Sequence, residues 1–199
     1  MGTRDLGSLG GQGSSTSAIN EAGQVVGSSM VVFDGPFHAF ITGPDGMGMR
    51  DLGTLGDSES SFADAINDAG QVVGYSGGHA FITGPDGMGI RDLGTLGGES
   101  LAEGINNAGQ VVGYSDTAEG SRHAFVTGPD GAGMMDLNSL SLVGLPAGVV
   151  LQSATGINNA GQVIATAIPE PEVYALFLAG LALVGFVARR KKIGGRFFA

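Results

Sequence analysis

Apolar residues come in short bursts along most of this chain, each cut off by glycine, asparagine or proline. The burst Gln110-Val111-Val112-Gly113-Tyr114 is typical. Its adjacent valines break strict alternation, which is the pattern of a strand covered on both faces. No helical stripe survives the punctuation. In this stretch the pattern predicts strands over 102–106, 110–115, 123–127 and 134–137. Asn107-Ala108-Gly109 turns the chain between the first two, with glycine free to take positive φ. Pro129-Asp130-Gly131 turns it between the last two, with proline pre-setting φ.

That stretch is one of several copies. Ile-Asn-x-Ala-Gly-Gln-Val begins at Ile19, Ile66, Ile105 and Ile157. His-Ala-Phe begins at His38, His79 and His123, and Gly-Pro-Asp-Gly at Gly43, Gly84 and Gly128. Asp-Leu recurs at Asp5, Asp51, Asp92 and Asp136. Four short strands in roughly 40–45 residues is the content of one propeller blade. A single unit buries too little surface alone, so neighbours must stack. The expected fold is an all-β repeat domain over residues 1–167, β-propeller-like with about four blades, followed by one C-terminal transmembrane helix. The chain opens at Arg4-Asp5-Leu6-Gly7, the last strand of a unit, and the body ends halfway through another, at 162–167. Joining the halves would close a four-bladed ring lacking one His-Ala-Phe strand. The preferred expectation is an incomplete ring, from a protein whose true start lies upstream.

Composition narrows the chemistry. Glycine supplies 38 of 199 residues, yet no G-x-y triplet runs through the chain, so it is not collagen. An apolar share of 42% is too high for simple disorder. The absence of cysteine excludes a disulfide framework, thiolate metal sites and cysteine catalysis. Residues 1–172 hold all 19 acidic groups and only Arg4, Arg50, Arg91 and Arg122 as basic ones. Such an acidic body argues against nucleic acid as a partner.

The tail reads differently. Pro169-Glu170-Pro171-Glu172 precedes an uncharged apolar run over 173–188, and Arg189, Arg190, Lys191 and Lys192 follow it. The run predicts a short transmembrane helix, with flanking basic side chains snorkelling to the interface. The basic cluster places the C-terminus in the cytoplasm and the acidic body outside. Proline biases the segment before the span to an extended, exposed form that a membrane peptidase can grip.

Two resemblances fit these motifs. The His-Ala-Phe triplets, the Gly104–Val111 and Gly156–Val163 runs and Asp92-Leu93-Gly94-Thr95-Leu96-Gly97-Gly98 make residues 1–167 similar to the HAF-repeat family of bacterial extracellular proteins. The fourth unit departs from it, with Asn138 after Asp136-Leu137 and Ala165 after Val163-Ile164. Residues 168–192 resemble the PEP-CTERM sorting signal, also called the ice-binding-protein C-terminal domain. This rests on Pro169-Glu170-Pro171, the span with Ala179-Gly180-Leu181 inside it, and the basic cluster. The seven residues 193–199 extend past the usual end of such tails. The resemblance implies export in a Gram-negative bacterium that makes exopolysaccharide, and recognition of Pro169, Glu170 and Pro171 by an exosortase-type membrane peptidase. Export needs an N-terminal signal, and Met1–Leu9 has neither a basic head nor an apolar run.

Candidate chemistry in the body is sparse. His38, His79 and His123 could converge on a metal in a propeller channel. The preferred reading is that each caps a strand beside Phe40, Phe81 or Phe125. Asp45, Asp86 and Asp130 could bind calcium, but a lone turn aspartate is ordinarily a turn residue. No nucleophile elbow, zinc-protease helix, Walker loop or dinucleotide fingerprint occurs. The expectation is a non-enzymatic, cofactor-free protein of the cell envelope, anchored in the membrane until its tail is processed. Its role would be structural or adhesive with exopolysaccharide. The alternative is a glycan-active enzyme, which would cluster a few acidic or histidine residues in one non-repeated place whereas the polar residues here repeat, or a carbohydrate-binding propeller using Tyr75 and Tyr114.

Overall fold

A computed structural model describes residues 3–140 and 148–169. The first sheet runs β1 (Ser14–Ile19), β2 (Val25–Met30), β3 (Phe37–Thr42) and β4 (Met49–Asp51). The second runs β5 (Ser61–Ile66), β6 (Val72–Ser76), β7 (His79–Thr83) and β8 (Ile90–Asp92). The third runs β9 (Gly97–Ile105), β10 (Val111–Thr117), β11 (Arg122–Thr127) and β12 (Met134–Asp136). The fourth holds β13 (Val149–Ile157) and β14 (Val163–Pro169). Each sheet is an antiparallel meander in chain order.

The sheets stack face to face in sequence, and the adjacent valines explain how. Val72 packs toward the first sheet with Val26, Ile41 and Leu52. Val73 packs toward the third with Ala102, Val111 and Phe125. Val112 continues the series toward Leu151 and Ala154 of the fourth sheet. Val72, Val73, Val111 and Val112 are fully buried, so these sheets are sandwiched as the sequence pattern required. Burying one such side chain contributes about 1.5–3 kcal/mol.

Buried hydroxyls fasten sheet to sheet. Ser61 Oγ accepts from Ala39 N, and Ser100 Oγ from Ala80 N, both at 2.8 Å. Arg4 donates to the carbonyl of Asp45 at 3.0 Å, so the N-terminal segment grips the first sheet although Arg4–Leu6 is not itself a strand.

Two expectations are corrected. No closed propeller forms among the described residues. Within them, β13–β14 supply two strands against four in each other sheet, and no apolar core is packed and no hydrogen bond runs between them and the first sheet. The second correction concerns the Pro-Asp-Gly turns. Proline stands before the turn, and the two central residues are Asp and Gly, both with positive φ: 61° and 70° at Asp45-Gly46, 51° and 66° at Asp86-Gly87, 50° and 67° at Asp130-Gly131. This is the mirror-type hairpin turn, whose twist suits flanking strands and which favours Asp-Gly. Asp130→Gly and Asp130→Ala both lose the bond that the Asp130 carboxylate accepts from Gln71, so Asp130→Gly should be the more stable of the two by about 1–2 kcal/mol, the strain of a side chain at this positive φ. Urea midpoints of the two variants check this.

No helix among the described residues is long and apolar enough to cross a membrane. The expected span at 173–188 lies outside the described residues, as do Glu170, Pro171, Arg189, Arg190, Lys191 and Lys192.

Candidate functional site

Four hairpin turns meet along one side of the stack. They are the Ile-Asn-x-Ala-Gly-Gln turns, and together they line a cleft of about 630 Å³. Each asparagine folds its own turn: Asn67 Oδ1 accepts from Ala69 N and Gln71 N, and its Nδ2 donates to Gln71 Oε1. The same Nδ2 reaches forward to the next sheet. Asn20 donates to Asn67 O at 3.1 Å, Asn67 to Asn106 O at 3.0 Å, and Asn106 to Asn158 O at 3.1 Å. A second rail runs beside it, in which Glu21, Asp68 and Asn107 main-chain N–H groups donate to Asp68, Asn107 and Asn159 side chains. The repeated polar residues of the turns thus serve to join sheets.

The histidines do the same work within sheets. His38 Nδ1 meets Asp51 at 2.8 Å, His79 meets Asp92 at 2.8 Å, and His123 meets Asp136 at 2.7 Å. Each pair links the third strand of a sheet to its fourth, so the three imidazoles are held in separate sheets. Among the described residues no group of three or more metal-ligating side chains gathers. Asp86 and Asp130 are likewise occupied, accepting from Gln24 and Gln71 of the preceding sheet at 3.5 and 3.2 Å.

One cluster breaks the repetition. The first strand of every sheet carries a register shift that leaves one residue unpaired: Ser17, Asp64, Glu103 and Thr155. Bulges re-aim side chains and occur beside functional sites. Two of these four positions, on neighbouring sheets, are acidic. Asp64 Oδ2 is buried without a hydrogen-bond partner, while Glu103 accepts from Ser153 Oγ. Burial, and secondarily the Glu103 charge, pushes the Asp64 carboxyl up to about 6. Burial also raises the Tyr75 phenol, with smaller contributions from Asp64 and Tyr114. The two tyrosines are engaged: Tyr75 stacks on Phe62 at 5.0 Å, and Arg122 lies 3.8 Å above the Tyr114 ring.

The raised carboxyl sets a pH dependence. Asp64 binds its proton more tightly folded than unfolded, so its cost to stability is absent well below the ordinary aspartate value of 3.8, grows as pH rises above it and is complete above about 6. Asp64→Asn should stabilise the chain at pH 7.5 by about 1–2 kcal/mol, a figure reduced because water still reaches some of the carboxyl. It should also flatten the fall in urea midpoint between pH 4 and 6.5. An unchanged profile would remove Asp64 as its source.

Sequence reasoning misses this pair. The signal lies in comparing Ala63-Asp64-Ala65-Ile66 with Ala102-Glu103-Gly104-Ile105, where the repeats differ from the first and fourth units.

Of the sorting residues, Pro169 is described. It ends β14 and pairs with Val149, at the outer rim of the fourth sheet. No curated protein and no solved structure matches the chain. Residues 167–192 match the model of the PEP-CTERM protein-sorting motif, which begins inside β14 and points to an exported protein sorted by exosortase, a membrane protein.

Proposed function

We propose that the chain is a non-enzymatic structural or adhesive protein of the cell surface, working with exopolysaccharide, whose acidic body is held outside the cytoplasm by the apolar span at 173–188 until the tail is processed. The observation that carries this reading is the direct junction of the sorting motif with β14, the rim strand of the repeat stack. A body used as a scaffold also accounts for where its repeated polar side chains go, since the asparagines, glutamines and histidines are engaged in turns, sheet contacts and strand pairs. Pro169, Glu170 and Pro171 act as substrate of the sorting enzyme. Arg189, Arg190, Lys191 and Lys192 fix the orientation of the span.

Cell fractionation of the full chain against Glu170→Ala tests the sorting step. The variant should stay in the membrane fraction at its unprocessed size. Identical distribution and migration of the two forms would overturn the role of Glu170. A second reading, a glycan-active body, has Asp64 and Glu103 in its favour, as acidic residues in one non-repeated place. Release of reducing ends from exopolysaccharide, abolished in Asp64→Asn, is the result that would replace the scaffold reading.

A further inference from the structure

The boundary between the third and fourth sheets is built like the two before it, with one component missing among the described residues. At the second boundary the Pro129-Asp130-Gly131 turn enters between sheets. The Arg91 guanidinium donates to Asp130 O, and Gln71 Nε2 donates to Asp130 Oδ1. Gly131 sits so close to Leu93 and Ile82 that an added β-carbon would lie 2.6 and 3.1 Å from their methyl groups. The first boundary repeats this with Arg50, Gln24, Leu52 and Ile41 around Asp86-Gly87.

At the third boundary Gln110, Val126 and Leu137 stand where Gln71, Ile82 and Leu93 stand. Among the described residues no turn enters. Those side chains instead line an apolar groove of about 470 Å³ with Leu151 and Val163. The outer edge of β14 has no strand beside it among the described residues. Met135 replaces the arginine of the other boundaries and is 46% exposed.

We propose that this groove and the β14 edge form a docking site for a strand and turn of the repeat type, Ala-Phe-Ile/Val-Thr-Gly-Pro-Asp-Gly, presented by a different repeat-bearing polypeptide and not by a second copy of this chain, whose own such strands are already paired. The incoming strand adds to β14 by main-chain hydrogen bonds, as in strand complementation. Its Asp-Gly turn fills the groove, with the aspartate accepting from Gln110 Nε2. Continuity with the rest of the stack selects this occupant: the same face is covered by the same segment at two other places in this molecule. The proposal stands apart from the sorting reading, because it concerns the body alone.

The test is a fluorescein-labelled peptide with the sequence of His79–Gly89, titrated with the full-length chain and followed by anisotropy. Saturable binding is expected, weakened about tenfold by Asp86→Ala in the peptide. Met135→Arg in the chain restores the missing cation and should tighten binding about tenfold. Position 135 is exposed, so that variant should keep the parent's urea midpoint. A lack of saturation, equal binding of a scrambled peptide, or no response to Met135→Arg overturns the site. A chain that runs as a dimer and is split by the peptide overturns the choice of occupant in favour of a second copy.

Discussion

Asn67→Ala is expected to lower stability by about 3 kcal/mol or more, read as a fall in urea midpoint at constant slope. Asn67 is 3% exposed, and its amide is fully engaged. Oδ1 accepts from Ala69 N at 3.1 Å and Gln71 N at 2.9 Å. Nδ2 donates to Gln71 Oε1 at 2.8 Å and to Asn106 O at 3.0 Å. Alanine leaves these groups in place without partners, and each unpaired buried group costs about 1–3 kcal/mol. The fourth sheet supplies the comparison. Asn158 makes the same bonds inside its turn but donates to no following sheet among the described residues, and it is exposed. Asn158→Ala should cost about 1 kcal/mol or less. Equal losses at both positions would show that the forward bond contributes nothing.

Gly113→Ala should cost about 4 kcal/mol or more, or prevent folding, and Gly113→Val should be worse. The backbone conformation is ordinary at Gly113, and the obstacle is space. A β-carbon there would stand 2.0 Å from Leu101 O, and the equivalent distances are 1.9 Å at both Gly27 and Gly74. In each of these sheets the crowding carbonyl lies two residues before the unpaired residue of the first strand. Any side chain would have to push the first and second strands of the sheet apart. Gly120 is the control: it has open space, and Gly120→Ala should cost only the strain of its positive φ, about 1–2 kcal/mol. An unchanged melting temperature for Gly113→Ala would sink the steric explanation. The fourth sheet carries Ala165 at this position and has a second register shift nearby, between Leu151 and Ser153.

Much of this architecture is legible because it is repeated. Adjacent valines predict strands covered on both faces, and Val72 and Val73 do pack against different neighbours. The Gly-Asn punctuation places the hairpins within a few residues. What depends on the angle between sheets is not legible. The forward reach of Asn20, Asn67 and Asn106 needs three-dimensional stacking to emerge, and the sequence pattern puts Asn106 at the end of a strand and gives the turn to Asn107-Ala108-Gly109. The histidine–aspartate pairs are hidden for a related reason: each joins two motifs that lie apart in the repeat. The Pro-Asp-Gly turn misleads because proline is the strongest local signal, while the backbone gives the positive φ to Asp. Asp64 and Glu103 escape a search for repeats because such a search rewards identity, and this pair is a difference.

The placement of Pro169 has a mechanical consequence. It sits opposite Val149 at the open end of the β13–β14 hairpin, and the sorting motif continues from it. Tension transmitted through the C-terminal tail would load that hairpin's bonds one after another from the rim, as in opening a zipper, rather than all together in shear. Under such a load the fourth sheet would yield first and at low force, while the three complete sheets keep their shape.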